Sequence, residues 1–177
     1  GEATISTMDT LASELHDQGK FDEAEPLYRE VLAMEREAVG NRHPNTLVSV
    51  CNLGMLLQVK GDLAAAEPLL REALEVQRET IGSRHPDTLT SIHNLSMVLY
   101  TKGDLAAAEP LCREALEAQR ETLGARHPDT LTSISSLSEL LKDQGDLAAA
   151  EPLCREALEA RRETLGNLHP STLTSIC

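Results

Sequence analysis

The chain of 177 residues carries 29 Asp and Glu against 16 Lys and Arg, a formal charge of −13, which sets its surface against nucleic-acid phosphates and anionic membranes. Its 41% apolar content is enough for a continuous core, while no apolar run nears the roughly 20 residues that span a bilayer and the N-terminus lacks a secretory pattern, so a soluble chain with no nucleic-acid or membrane partner is expected. The cysteines, Cys51, Cys112, Cys154 and Cys177, show neither CxxC pairing nor close spacing, which argues against a zinc site or a disulfide framework and for a reducing, cytoplasmic setting.

The phrase GDLAAAEPL stands at residues 61–69 and returns letter for letter at 103–111 and 145–153. Gly19, Gly61, Gly103 and Gly145 fall 42 residues apart, as do the His-Pro pairs that begin at His43, His85, His127 and His169. The chain therefore reads as one array in which each unit buries its apolar side against its neighbours. The first unit is the least regular, with Phe21, Tyr28 and Met34. In the third the pattern is clearest: Leu89, Ile92, Leu95, Ser96 and Leu99 follow steps of three and four, which predicts a helix. Asp87 after Pro86 is its expected start signal and Gly103 its stop.

A second helix follows through Leu105, Ala108, Cys112, Ala115 and Leu116 to Gly124, where a left-handed cap is expected. Its exposed side pairs Glu109 with Arg113, as Glu67 pairs with Arg71 and Glu151 with Arg155. Pro26, Pro68, Pro110 and Pro152 lie a few residues inside the second helices and predict a late start or a slight kink. The array breaks off at Ile176-Cys177 in mid-pattern, so the chain reads as a piece of something longer, with Leu153, Cys154 and Ala157 left short of cover by the few residues from Ser171 onward.

Two antiparallel helices per unit joined by a Gly-Asp turn resemble tetratricopeptide repeats. The family's large residue early in the first helix corresponds to Met8, Val50, Ile92 and Ile134, its Leu to Leu11, Leu53, Leu95 and Leu137, and its small residue to Ala12, Gly54, Ser96 and Ser138. The late first-helix aromatic is replaced by Leu15, Leu57, Leu99 and Leu141. In the second helix the small Ala corresponds to Ala24, Ala66, Ala108 and Ala150, the aromatic to Tyr28, Leu70, Cys112 and Cys154, and the second Ala to Val31, Ala73, Ala115 and Ala157. The longer unit, with its HPDT and AEPLLREAL phrases, is similar to the kinesin-light-chain subclass. The resemblance implies an all-α fold, an α-solenoid wound as a right-handed superhelix, with units at residues 1–44, 45–86, 87–128 and 129–170 and the start of a fifth at 171–177.

Comparing residues 61–102 with 103–144, the scaffold is copied while His93, Asn94, Met97, Tyr100 and Thr101 become Ser135, Ser136, Glu139, Lys142 and Asp143. Drift at exposed sites would produce differences too, yet Arg71, Glu72, Glu75, Gln77, Arg78 and Glu79 recur unchanged as Arg113, Glu114, Glu117, Gln119, Arg120 and Glu121, although they also should face water. In the resembled family the changed positions line a concave groove that holds an extended peptide. That implies a lining of Asp9, Ser13, His16 and Asp17, then Cys51, Asn52, Met55, Gln58 and Val59, then His93, Asn94, Met97, Tyr100 and Thr101, and last Ser135, Glu139, Lys142 and Asp143. Met repacks readily around varied partners, and Asn52 and Asn94 can each clasp a peptide backbone.

The expected function is a non-catalytic scaffold for an extended or short helical peptide with an apolar anchor and basic flanks. Basic groove residues, which acidic kinesin-light-chain ligands and a carboxylate clamp would need, are lacking here apart from Lys142. The competing readings are a structural spacer or self-association module of a larger signalling or transport protein, joined end to end through the uncapped C-terminal unit, and an engineered consensus array. No Ser-His-Asp set, phosphate loop or acidic pair singles out a catalytic site. Stacked units put the His-Pro histidines about 10 Å apart, too far to share a zinc ion with bonds of about 2 Å, so neither metal nor cofactor is expected. Cys112 and Cys154 read as buried small hydrophobes, and Cys51 and Cys177 as groove thiols.

Overall fold

A computed structural model of the chain describes residues 1–165. The expected beginning of a fifth unit, His169 and Cys177 lie outside the described residues. Eight helices follow in order: α1 (Glu2–Asp17), α2 (Phe21–Val39), α3 (Pro44–Lys60), α4 (Leu63–Thr80), α5 (Pro86–Lys102), α6 (Leu105–Thr122), α7 (Pro128–Asp143) and α8 (Leu147–Leu165). There is no strand among the described residues, and the architecture is that of a helical-repeat solenoid. The chain divides into two compact units, residues 1–82 and 83–177. In the first, α1 packs on α2, α2 on α3 and α3 on α4; in the second, α5 packs on α6, α6 on α7 and α7 on α8.

The apolar stripes seen in the sequence are the core. Leu53, Leu57 and Leu70 are closed off in the first unit, and Ile92, Leu95, Leu99, Ile134, Leu137 and Leu141 in the second. In the second unit, Leu116 of α6 meets Leu131, Ile134 and Leu137 of α7, with Ala150, Ala157 and Ala160 of α8 completing the cluster. Alanines at the crossing let the backbones approach. The three expected Glu–Arg pairs one helical turn apart are present, and Glu25–Arg29 in α2 adds a fourth.

Several helix-end expectations are corrected. The odd-numbered helices from α3 on begin at the proline, one residue before the expected Asp87 and its counterparts Asn45 and Asp129, and the N-cap is histidine. Nδ1 of His43, His85 and His127 accepts from the backbone N–H of Asn45, Asp87 and Asp129, each at 3.2 Å. Proline at the first helical position loses nothing there, because that N–H has no helical partner. The second helices start before their prolines, not after them: Asp62, Asp104 and Asp146 cap them by accepting from the N–H of Ala65, Ala107 and Ala149, so a late start is excluded. The left-handed closure sits on the first helices, where Gly61 has φ 83° and ψ 3°. Helix α2 closes otherwise, Gly40 having φ 88° but ψ 169°, a combination reachable only by glycine, while Gly124, after α6, takes the positive φ expected there, 92°.

The threonine of the His-Pro-x-Thr phrase completes this junction. Thr46 and Thr130 are fully buried, and their hydroxyls donate to the carbonyls of Gly40 and Gly124 at 2.8 and 2.9 Å. Each thus holds the end of one repeat to the start of the next within its own compact unit. Thr130→Val keeps the shape but removes one of the two donors to the half-buried Gly124 carbonyl, which still accepts from the His127 N–H, and is expected to lower unfolding free energy by about 0.5–1.5 kcal/mol. In urea titrations, Thr132→Val, which alters an exposed threonine bonded only to its own helix, should leave the midpoint nearly unchanged.

The charged residues that recur unchanged have a structural explanation that the sequence reading missed. Arg36 of α2 makes two bonds of 2.9 Å to the Glu72 carboxylate of α4, and Arg120 of α6 meets Glu156 of α8 at 2.6 Å in the same register. A second latch runs from the loop before each odd helix, with Arg42 on Glu79 at 2.9 Å and Arg84 on Glu121 at 2.5 Å; Arg126 repeats it on Glu163. Each such exposed pair contributes about 0.2–1 kcal/mol. Within each compact unit they fix the register between its two second helices, α2 and α4 in the first and α6 and α8 in the second. Gln77, expected to face water, is instead buried. Nothing in the structure explains why Glu75 and Glu117 are retained.

Candidate ligand-binding faces

The expected lining residues lie on the odd-numbered helices, two sets in each compact unit. On α1, the Ser13 hydroxyl accepts from the Tyr28 hydroxyl at 3.2 Å. The His16 ring stands edge-on to Phe21 with centroids 5.4 Å apart, and its Nδ1 lies 3.7 Å from the exposed Asp17 carboxylate. Asp9 is half-buried, with Oδ1 closed off and lacking a hydrogen bond. On α3, Met55 and Val59 are 40% and 55% exposed, while Cys51, Asn52 and Gln58 are half-buried. Val48, 53% exposed, falls seven residues before Met55 and so extends the same stripe by two turns. The sequence reading omitted it, although the equivalent Thr90 and Thr132 also differ from it between copies.

In the second unit, Met97 and Tyr100 are half-buried and Thr101 exposed on α5, and Ser135 and Lys142 are half-buried and Glu139 and Asp143 exposed on α7. The Tyr100 hydroxyl donates to the Asp143 carboxylate, which joins the two helices through a pair of lining positions. That bond, ahead of burial, holds the Tyr100 pKa above the usual phenol value. Ser135 and Thr101 turn their hydroxyls back to the carbonyls of Leu131 and Met97. Asn94 is 7% exposed, and its Nδ2 is closed off without a hydrogen-bond partner.

Between α5 and α7, above the C-terminal turn of α6, lies a cleft of about 580 Å³. Leu89, His93, Gln119, Leu123, Thr132 and Ser133 are among the residues that line it. His93 keeps an open edge to solvent, yet enough protein surrounds the ring for desolvation to hold its pKa below the ordinary histidine value. Oε1 of Gln119 is buried without a partner, and Leu123 is 45% exposed. Gln119 and Leu123 escaped the sequence reading because they belong to the second helix, where only scaffold was expected. The volume suits one large side chain and its neighbours, and lies within the range of small ligand sites, about 300–1,000 Å³.

Among the described residues there is no cluster of three or more His, Cys, Asp or Glu side chains arranged to hold a metal ion, and no helix long and apolar enough to cross a membrane. Cys51 and Cys112 are free thiols. Burial pushes the Cys112 thiol pKa up, which makes it unreactive. Cys154 is buried as expected but is disulfide-bonded, against the expectation that no disulfide forms.

Three overlapping matches to the tetratricopeptide repeat family model cover residues 3–79, 49–111 and 92–163. The chain belongs to the tetratricopeptide repeat family. No curated protein matches it in sequence. Among solved structures, it is similar to a candidate kinesin light chain of Podosopora anserina with nearly identical TPR-like repeats, at 27% identity and a TM-score of 0.89, over 99% of this chain and 83% of that one. A single-substitution form of that same protein matches over 97% and 81% with equal identity and TM-score. BtubC (BKLC) from P. vanneervenii shares the fold, with a TM-score of 0.79 at 24% identity over 95% of this chain and 65% of that one. The tetratricopeptide repeats here are thus kinesin-light-chain-like, and repeats of this family serve protein–protein interaction.

Proposed function

We propose that this tetratricopeptide repeat chain is a non-catalytic scaffold that binds an extended or short helical peptide along the exposed faces of its odd-numbered helices, through an apolar anchor flanked by basic residues. The observation that carries the reading is the pairing of apolar and acidic surface at the positions that vary between copies. Val48, Met55 and Val59 form an open apolar stripe in the first unit. In the second, the His93 and Leu123 cleft lies beside α7, whose exposed Glu139 and Asp143 are both acidic. Apolar anchors in a desolvated pocket supply most of the affinity of such an interface, and surrounding charge sets the partner's sign and the association rate. A chain of net charge −13 favours basic flanks. The partner is a protein segment and not a nucleic acid or a membrane, and the setting is cytoplasmic.

The test is fluorescence polarisation with a randomised peptide library having basic, neutral or acidic flanks. Basic peptides with one large apolar residue should bind best, and more weakly as salt rises. Glu139→Lys, at an exposed site, is expected to weaken them about three- to tenfold while leaving the melting temperature in place. Acidic winners, or indifference to Glu139→Lys and to Met97→Ala alike, would overturn the proposal.

A further inference from the structure

The cleft between α5 and α7 differs in chemistry from the same register of the first unit. There a buried bond closes the wall, the Ser49 hydroxyl donating to the Glu35 carboxylate at 2.6 Å. In the second unit Ser133 stands in the place of Ser49 and Gln119 in that of Glu35, and Oε1 of Gln119 receives no such bond. Two further cleft residues on α7 also differ from their counterparts on α3. Thr132 replaces Val48 and Asp129 replaces Asn45, so a hydroxyl and a carboxylate stand where the first unit has a methyl and an amide.

The polar groups that line the cleft are mostly acceptors. The hydroxyls of Thr90, Thr122 and Thr132 donate to the carbonyls of Pro86, Ala118 and Pro128 on their own helices, at 3.1, 2.8 and 3.0 Å. Each hydrogen is thereby engaged, and each oxygen keeps lone pairs for a ligand. The Asp129 carboxylate is exposed in the same lining. Arg84 is the cation there, but Glu121 holds its guanidinium at 2.5 Å. His93, whose pKa desolvation lowers, adds a neutral ring, and Pro86, Leu89 and Leu123 add apolar wall. An anion would meet these oxygens with repulsion, and a wholly apolar side chain would strip them of water without replacing it. A cation with an apolar stem satisfies both surfaces. Arginine fits better than lysine, because its planar fork carries five donors and no acceptor, is weakly hydrated, and can stack on a ring such as that of His93.

We propose that this cleft seats an arginine side chain of the bound segment, with its methylenes against Pro86, Leu89 and Leu123 and its guanidinium among the threonine oxygens and the Asp129 carboxylate. The inference rests on the peptide-binding reading and gives the basic residue of that peptide a definite seat in the second unit. The first unit, with Val48 and Asn45 in register, lacks two of the oxygens that select it.

NMR titration of the full chain with N-acetyl-arginine methylamide, and with its lysine, citrulline and norleucine counterparts, tests the proposal. The arginine probe should move the signals of His93, Leu123 and Thr132 in a saturable way, and the neutral citrulline and norleucine probes should bind about tenfold more weakly or worse. Thr132→Val and Asp129→Asn borrow the residues that α3 carries at the same places, so the fold accommodates both. Together they should weaken the arginine probe about three- to tenfold and leave the norleucine probe unaffected. Lysine or norleucine binding as tightly as arginine overturns the proposal. So does arginine binding that the double variant does not alter, a response confined to residues outside the cleft, or no saturable response to arginine. Each of those results leaves the peptide-binding reading standing if the flank-varied library still yields winners, whereas a library without winners fails that reading whatever the arginine probe does.

Discussion

Leu137→Ala is expected to lower the free energy of unfolding by about 2–5 kcal/mol, and Leu11→Ala by less than about 1 kcal/mol, although both delete the same atoms at the same position of the repeat. Leu137 is 1% exposed and packed with Leu116, Ile134, Leu141 and Ala150. Its truncation leaves a cavity that helices α6, α7 and α8 can fill only by moving together, and the lost dispersion contacts add to the lost transfer energy. Leu11 already meets water over 45% of its surface, so its truncation forfeits less of both. In an array whose stability is a sum of unit and neighbour contributions, the same contrast makes α1 the first helix to fray. Urea titration combined with amide hydrogen exchange measures both quantities. Equal losses at the two positions would mean that Leu11 is covered in solution, and slow exchange throughout α1 would say the same.

Helix number, helix pairing and the identity of nearly every core residue were legible in the sequence because they depend on recurrence alone. A leucine or alanine that returns at a fixed interval and in helical step must face the same neighbour each time, as Leu53, Leu95 and Leu137 do. What was misread depends on atoms that periodicity does not distinguish. His-Pro looked like a turn marker, yet its Nδ1 acts as the N-cap, displacing the aspartate two residues on. The prolines of the second helices suggested a break, but a capping aspartate before each helix lets it begin ahead of the ring. The unchanged Arg and Glu residues seemed unconstrained because their partners lie 36 or 37 residues away, on the next unit and not the next turn. At the candidate faces, sequence found the variable positions of the first helices but not Gln119 and Leu123, which enter the α5 and α7 cleft from α6.

Gly54→Ser is expected to destabilise the chain by about 1–3 kcal/mol, and Leu70→Cys to relieve most of that loss when the two are combined. A Cβ built on Gly54 would sit 2.8 Å from Leu70 Cδ2 and 2.9 Å from its Cγ. Both residues are fully enclosed, with Leu70 0% exposed, so the leucine has no room in which to retreat. The later units solve the same crossing with a larger residue on the first helix and a smaller one on the second: Ser96 faces Cys112, and the corresponding pair is Ser138 and Cys154. Their serine hydroxyls are satisfied within the helix, Ser96 donating to the His93 carbonyl and Ser138 to that of Ser135, each at 2.8 Å. A serine at position 54 has the equivalent Cys51 carbonyl available, so the cost of Gly54→Ser is steric, offset in part by about 0.5 kcal/mol of helix propensity gained over glycine. Leu70→Cys alone empties volume beside Gly54 and should also destabilise, by about 1–3 kcal/mol. The double variant restores a volume the fold already accommodates, and the coupling energy from the four urea curves should be favourable by about 1 kcal/mol or more. Additive losses would instead mean that α3 and α4 part easily enough for each change to be absorbed alone.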